Sequence, residues 1–201
     1  MKIKLGELFC GPSGIALGAH LADNNPFSHA WAVDYHQYTC RTFEQNIPGA
    51  AEKSVLCQDV REIDVKKLKE ISDIDGFAYG FPCNDYSAVG EQKVIDGNFG
   101  PLYKYGLQII DSFNPKFFLA ENVRGLTSVN QRNTLEIILK ELEAAGSGYV
   151  LTPHLYKFEE YGVPQARHRL IIVGFRKDLN IRFSPPSPTH INKYVTAEYA
   201  M

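Results

Sequence analysis

The stretch "ELFCGPSGIALG", residues 7–18, joins an apolar run to a helix-like run through a turn that contains glycine. Glycine lets the backbone come close to a bound group, and the start of a helix offers unpaired N–H groups to an anion. The spacing is not G-x-G-x-x-G, so a plain strand-to-helix turn explains it equally well. The stretch therefore predicts a fold that begins with a strand, a tight turn and a helix.

The alternation of strand-like and helix-like runs continues along most of the chain. Strand-like runs cover residues 3–9, 29–34, 53–59, 74–80, 115–122, 149–156 and 169–175. Helix-like runs lie between them, over residues 14–23, 37–46, 65–71, 102–113 and 131–146. This order predicts an α/β fold with a doubly wound, mostly parallel sheet and helices on both faces.

The composition is that of an ordinary globular domain. The 201 residues are 44% hydrophobic and 22% charged, which is enough for a sizeable core. No apolar run approaches the ~20 residues that span a bilayer, so no membrane partner is expected. The net charge of −2, from 21 basic and 23 acidic residues, shows no basic footprint for nucleic acid.

The four cysteines argue against both a disulfide framework and a metal site. Cys10, Cys40, Cys57 and Cys83 have neither CxxC spacing nor histidines at zinc-site spacing. So few cysteines in a chain of this length are typical of a reducing compartment. We therefore expect a cytoplasmic protein without a bound metal.

Acidic residues end two of the predicted strands. Asp34 lies about 20 residues beyond the glycine turn, where doubly wound folds hold ribose hydroxyls. Tyr35 beside it offers an aromatic face to an adenine. Asp59 ends the third strand and could accept a hydrogen bond from an adenine amino group. Either acid alone fits a solvated strand end or a helix cap, but together they predict a ligand at the carboxyl edge of the sheet.

Cys83 lies directly after a proline in "GFPCNDYS", residues 80–87. By itself such a cysteine fits an ordinary small core residue, because the reactivity of a thiol depends on its surroundings. Trp31 and Cys40 are interpreted as core residues, Cys10 as packed near the glycine turn, and His168 as a surface position.

Four motifs in a defined order resemble one family, the cytosine-5 DNA methyltransferases. They are "ELFCGPSG", "GFPCNDYS", "ENVRGL" (121–126) and "QARHR" (165–169), and the resemblance runs from about residue 3 to about residue 175. It implies a Rossmann-like methyltransferase fold, S-adenosylmethionine as methyl donor and double-stranded DNA as substrate. It also implies DNA methylation in a restriction-modification system.

The resemblance assigns roles to residues that match the family motifs. Phe9, Gly11 and Gly14 would line the methionine portion of the cofactor. Asp34 would hold its ribose, Tyr35 and Phe81 would contact its adenine ring, and Asp59 would bind the adenine amino group. The catalytic residues would be Cys83, Glu121, Arg167 and Arg169. Residues 88–99 would close over the target base.

Those residue types suit methylation at carbon 5 of cytosine, which is a poor nucleophile. Addition of the Cys83 thiolate to carbon 6 creates electron density at carbon 5, and a thiolate also leaves easily. Glu121 would protonate or hydrogen-bond ring nitrogen 3, and Arg169 would bind the carbonyl oxygen. Arg167 would hold the target base and its neighbouring backbone, and the base must leave the duplex to reach the thiol.

Three positions depart from the family pattern: Ser13 and Gln58 stand where glycine is usual, and Asn84 where glutamine is common. We expect a catalytic and cofactor-binding domain over 1–183 and a linker over 184–201 toward a target-recognition region. The chain would then be truncated or one part of a split enzyme, with a second polypeptide carrying that region.

Two other interpretations remain open. One is an RNA cytosine-5 methyltransferase of the same architecture, although "NDYSAVG" after the Pro-Cys pair looks more like the DNA branch. The other is a non-catalytic, cofactor-binding remnant. Retention of Cys83, Glu121, Arg167 and Arg169 argues against that remnant.

Overall fold

A computed structural model describes residues 2–81, 102–123, 126 and 132–200. Seven strands form one sheet in the order β3-β2-β1-β4-β5-β7-β6. The strands are β1 (Ile3–Leu8), β2 (Phe27–Asp34), β3 (Val55–Cys57), β4 (Gly76–Gly80), β5 (Phe117–Val123), β6 (Tyr149–Lys157) and β7 (His168–Arg176). The pairs among β1 to β5 are parallel, and β7 runs antiparallel to both β5 and β6. The mostly parallel sheet predicted from the sequence is confirmed.

Helices pack against both faces of this sheet. They are α1 (Gly14–Leu21), α2 (Gln37–Asn46), α3 (Val65–Ile71), α4 (Tyr103–Phe113), α5 (Arg132–Ala144) and the short α6 (Ala197–Ala200). In β2, Ala32 belongs to a core cluster with Ala16 of α1 and Phe43 of α2. Its neighbour Trp31, which is 0% exposed, packs against Phe113 of α4. Successive side chains of a strand point to opposite faces, so the sheet is doubly wound as predicted.

The order of the strands places a crevice where β1 and β4 lie side by side. From β1 the chain passes to α1 and β2 on one side, whereas β4 is followed by β5 on the other. Ligands of open α/β sheets bind at such a reversal, outside the carboxyl ends of the strands. Phe9 follows β1 there, and Phe81 follows β4.

The segment after β7 lies against β6 and the turn that follows it. Thr152 Oγ1 donates to the carbonyl of Phe183 (3.1 Å), and the Tyr161 hydroxyl donates to the carbonyl of Pro186 (3.0 Å). The backbone N–H of His190 donates to the carbonyl of Glu160 (2.8 Å). The predicted boundary at 183 stays a prediction. None of the helices within the described residues is long and apolar enough to cross a membrane.

Candidate active site

Asp34 connects the ends of the first strands. One carboxylate oxygen, Oδ2, accepts the N–H of Gly11 in the loop after β1 (3.0 Å). The other, Oδ1, accepts the N–H of His36 at the start of α2 (3.0 Å). Each carboxylate oxygen can accept more than one hydrogen bond. Asp34 therefore orders the glycine loop and keeps acceptor capacity for a ligand hydroxyl.

The loop after β1 has an unusual backbone. Phe9, Gly11 and Ser13 have φ values of 53°, 57° and 91°, all in the left-handed region. This region costs residues other than glycine roughly 1–2 kcal/mol each. Ser13, which is 2% exposed, thus takes a conformation typical of glycine, the residue that is usual at this position of the family pattern. Backbone strain of this kind clusters at functional sites.

The residues predicted to contact adenine have different surroundings. Tyr35 is 74% exposed beside Asp34. Asp59 forms a two-pronged ion pair with Arg61, with Nε–Oδ1 and Nη2–Oδ2 distances of 2.9 and 2.6 Å. Hydrogen bonding from Arg61 holds the pKa of Asp59 below its usual value. An adenine amino group would therefore share this carboxylate with Arg61. Phe81 is buried next to the ring of Tyr79, so its contact with a cofactor stays a prediction.

Two catalytic candidates that are distant in sequence form an ion pair. Arg169 Nε lies 2.8 Å from Glu121 Oε1, and Arg169 Nη1 donates to the carbonyl of His168 (2.8 Å). In the antiparallel register of β5 and β7, Val123 pairs with Arg169. Glu121 lies two residues before Val123 and so points to the same face of the sheet, which brings it close to Arg169. Both side chains are half-buried. The arrangement presents an acid and a cation next to β4, the strand that leads to the Pro-Cys motif.

Gly80 leaves room for the carboxylate of Glu121. The two residues pair across β4 and β5, and a Cβ added to Gly80 would lie 3.2 Å from Glu121 Oε2. The Gly80→Ala variant should displace that oxygen, because the ion pair with Arg169 restricts how Glu121 can move. We expect methyl transfer to fall at least about tenfold, which corresponds to roughly 1.4 kcal/mol. Thermal unfolding should change little; a fully active Gly80→Ala variant would contradict this role.

Asn122 supports the backbone just before the Pro-Cys motif. Its buried Nδ2 donates to the carbonyl of Phe81 (3.2 Å), and its Oδ1 accepts the N–H of Val123 (2.7 Å). In the Asn122→Asp variant the donor is lost and a carboxylate faces the Phe81 carbonyl. We expect the free energy of unfolding in urea to fall by roughly 1–3 kcal/mol, with a loss of activity. Unchanged stability would show that the bond to Phe81 is unimportant.

The segment before Arg169 is held by Glu159, a residue that the sequence interpretation missed. Glu159 Oε2 accepts the N–H of Arg167 (3.2 Å), and Glu159 Oε1 lies 2.7 Å from His168 Nε2. His168, interpreted as a surface position, is partly exposed, and its ring contacts Glu159. The side chain of Arg167 is exposed and available to a substrate.

Not every predicted residue can be placed. Pro82, Cys83 and the predicted closing segment 88–99 lie outside the described residues. Cys10 is buried near the glycine turn, as predicted, and burial together with the charge of Asp34 raises the pKa of its thiol. Cys40 is buried too, as predicted.

Comparisons with known proteins agree with the motifs. The chain is 54% identical over 211 residues to the Type II methyltransferase M.BbvI of Brevibacillus brevis, and 35% identical over 207 residues to M.NgoFVII of Neisseria gonorrhoeae. Both alignments include the whole chain but only 56% and 53% of the relatives. The chain thus spans about half the length of these curated relatives.

A solved structure supports the fold. A prophage-encoded protein from E. coli superposes with a TM-score of 0.76 at 24% identity, over 99% of this chain and 54% of the other. The sequence family described as C-5 cytosine-specific DNA methylase matches residues 3–199. With nearly its full length matched, the chain belongs to the C-5 cytosine-specific DNA methylase family.

Proposed function

We propose that this chain is the catalytic part of a DNA (cytosine-5-)-methyltransferase from a restriction-modification system. The observation that carries the proposal is the 2.8 Å ion pair between Glu121 and Arg169. It lies beside β4, after which the sequence continues through Phe81 to Pro82 and Cys83. A nucleophile, an acid and a cation are the groups that methylation at carbon 5 requires.

The carboxyl edge suits a ligand that carries a ribose and an adenine. Asp34 and Asp59 offer carboxylate oxygens, and Tyr35 offers an exposed ring. The space at Gly11 and Gly14 is open, since, apart from the adjacent residues and the backbone of the same helix, no heavy atom of the described residues lies within 4 Å of a Cβ added there. These features fit S-adenosylmethionine, and we propose that these residues hold it. When bound, it supplies an electrophilic methyl group.

The residues of the chain perform the remaining steps. The Cys83 thiolate forms a bond to carbon 6 of cytosine, and Glu121, once it has taken a proton from solvent, gives that proton to ring nitrogen 3, which offsets the charge of the addition. Arg169 donates hydrogen bonds to the carbonyl oxygen and keeps Glu121 oriented. After methylation the carbon-5 proton passes to solvent and ring nitrogen 3 returns its proton to Glu121, so the ring double bond reforms and Cys83 leaves as thiolate.

We propose double-stranded DNA as the substrate, with the target base rotated out of the helix, since a thiol cannot reach carbon 6 inside the base stack. The exposed Arg167 would contact the backbone beside that base. The relatives carry their additional length in one chain, so they give no support to the second polypeptide predicted from the sequence.

Transfer of tritium from labelled S-adenosylmethionine tests this proposal. We expect label in cytosines of duplex DNA, or of single-stranded DNA if base rotation limits the isolated chain, and none in transfer RNA. The Cys83→Ser variant should lose this label, whereas a Cys57→Ser variant, with an exposed cysteine changed, should keep it. Label confined to transfer RNA would support the RNA interpretation instead, and no label in any nucleic acid would support the remnant.

A further inference from the structure

A cavity of about 120 Å³ lies between the sheet and the ends of α1 and α2. Its lining includes Lys2 and Phe27, at the amino-terminal ends of β1 and β2. The cavity thus reaches the amino-terminal edge of the sheet, opposite the carboxyl edge that carries Phe9 and Asp34. Much of its wall is apolar, with contributions from Leu5, Ala16, Ala19, Ile47 and Pro48.

Two polar groups in this lining are deeply buried, and neither forms an ion pair within the part of the chain that the structure describes. Glu7 is 2% exposed, and among the described residues a hydrogen bond from the backbone of Ala16 acts to lower its pKa. Asn25 Oδ1 is buried and has no hydrogen-bond partner among the described residues. The amide nitrogen of Asn25 lies 3.2 Å from His20 Nδ1, which fixes this nitrogen of His20 as the acceptor.

His29 adds a further acceptor to the same wall. The Ser54 hydroxyl donates to the carbonyl of Ala51 (3.1 Å), so the proton between His29 Nε2 and Ser54 Oγ (3.0 Å) belongs to His29. Burial lowers the pKa of His29 to about 4, so the ring is neutral at neutral pH and Nδ1 carries a lone pair. The lining therefore offers acceptor atoms on Glu7, Asn25 and His29, with Lys2 as a donor at its rim.

We propose that this cavity binds a small alkylammonium ion. Its N–H groups would donate to the carboxylate of Glu7 and to Asn25 Oδ1, and its alkyl chain would lie against the apolar wall. A buried carboxylate without a cation is costly, and a cation with N–H donors satisfies both its charge and its lone pairs. The orphaned oxygen of Asn25 indicates the same donor-bearing ligand independently.

Binding of the cation should release a proton. Burial raises the pKa of Glu7 to about 8, so the free site holds a protonated carboxyl at neutral pH. An ammonium ion favours the carboxylate, and the carboxyl proton passes to the buffer as the ion binds. The other titratable groups near Glu7 are Lys2 at the rim, His20 on α1, His29 on β2 and Cys10 after β1.

Isothermal titration of the chain with n-propylammonium tests the proposal. We expect saturable binding, with close to one proton released per ion at pH 7, read from the difference in heat between phosphate and Tris buffers. The affinity should rise about tenfold between pH 6 and 7 and level off above pH 8. Propan-1-ol, which lacks the charge, and tetramethylammonium, which lacks N–H donors, should bind far more weakly.

Two variants test whether the ion binds at Glu7 or elsewhere on the chain. Glu7→Gln should lose at least about tenfold in affinity and all proton release, whereas Glu70→Gln, on α3 across the sheet, should behave like the unchanged chain. Saturating S-adenosylmethionine should not compete. The proposal fails if n-propylammonium does not saturate by ~100 mM, if Glu7→Gln binds equally well, or if S-adenosylmethionine displaces the ion. None of these outcomes depends on methyl transfer.

Discussion

The Glu7→Gln variant is expected to be several kcal/mol more stable than the unchanged chain at pH 8, and equally stable near pH 4.5. Glu7 is 2% exposed, and this burial raises its pKa from the ordinary value of 4.5 to about 8. The folded state keeps the Glu7 proton up to about pH 8, whereas the unfolded state loses it near pH 4.5. Between these values the folded state binds more protons, so stability falls as the pH rises.

The size of this effect follows from the same two pKa values. One pKa unit corresponds to about 1.4 kcal/mol, so the rise in the pKa of Glu7 from 4.5 to about 8 changes the free energy of unfolding by up to about 5 kcal/mol. Glutamine cannot ionise and keeps the shape of a protonated glutamate. Urea unfolding of both proteins at several pH values measures the difference directly, and groups common to both cancel. A difference that does not grow between pH 5 and pH 8 would show that Glu7 is ionised in the folded protein.

The Glu121→Gln variant is expected to lose about 10²–10⁴-fold in the rate of methyl transfer, the usual range for removing a general acid. The amide oxygen can still accept from Arg169 Nε, so the contact that joins β5 to β7 survives. What disappears is the proton for ring nitrogen 3. We therefore expect the loss in kcat, with the KM for DNA and the thermal unfolding temperature almost unchanged.

A matched control variant distinguishes the loss of a catalytic acid from the loss of a negative charge at the surface. Glu143 on α5 lies 3.5 Å from Lys177 in an exposed ion pair, so Glu143→Gln removes an equivalent charge from a pair of little energetic weight. This control should keep full activity. If Glu121→Gln kept activity within about tenfold of the unchanged chain, Glu121 would not be the proton donor.

Much of the fold could be predicted because its signals are local. Alternating apolar runs and glycine-bearing turns give the order of the elements, and the prediction for 37–46 coincides with the observed α2, Gln37–Asn46. The insertion of an antiparallel β7 between β5 and β6 has no such local signal. That pairing depends on contacts between residues such as Val123 and Arg169, which are far apart in sequence.

The residue types of the site could be predicted better than their contacts, because the contacts join residues that are far apart in sequence. Residue types within motifs indicated Glu121 and Arg169, but their ion pair is a consequence of strand register. Glu159 was missed because it lies outside any motif and reaches His168 only through the turn between β6 and β7. Glu7 was interpreted simply as part of a strand, since a sequence does not reveal that an acidic side chain points into a buried wall.

The most direct test of the account is to trap the chain on DNA that contains 5-fluorocytosine. Fluorine at carbon 5 cannot leave as a cation, so after methyl transfer the bond from sulfur to carbon 6 persists. In the presence of S-adenosylmethionine, peptide mass spectrometry should find the methylated nucleotide on Cys83, and the Cys83→Ser variant should give no adduct. A nucleotide attached to Cys57, or no adduct on either duplex or single-stranded DNA, would contradict the assignment of Cys83 as the nucleophile.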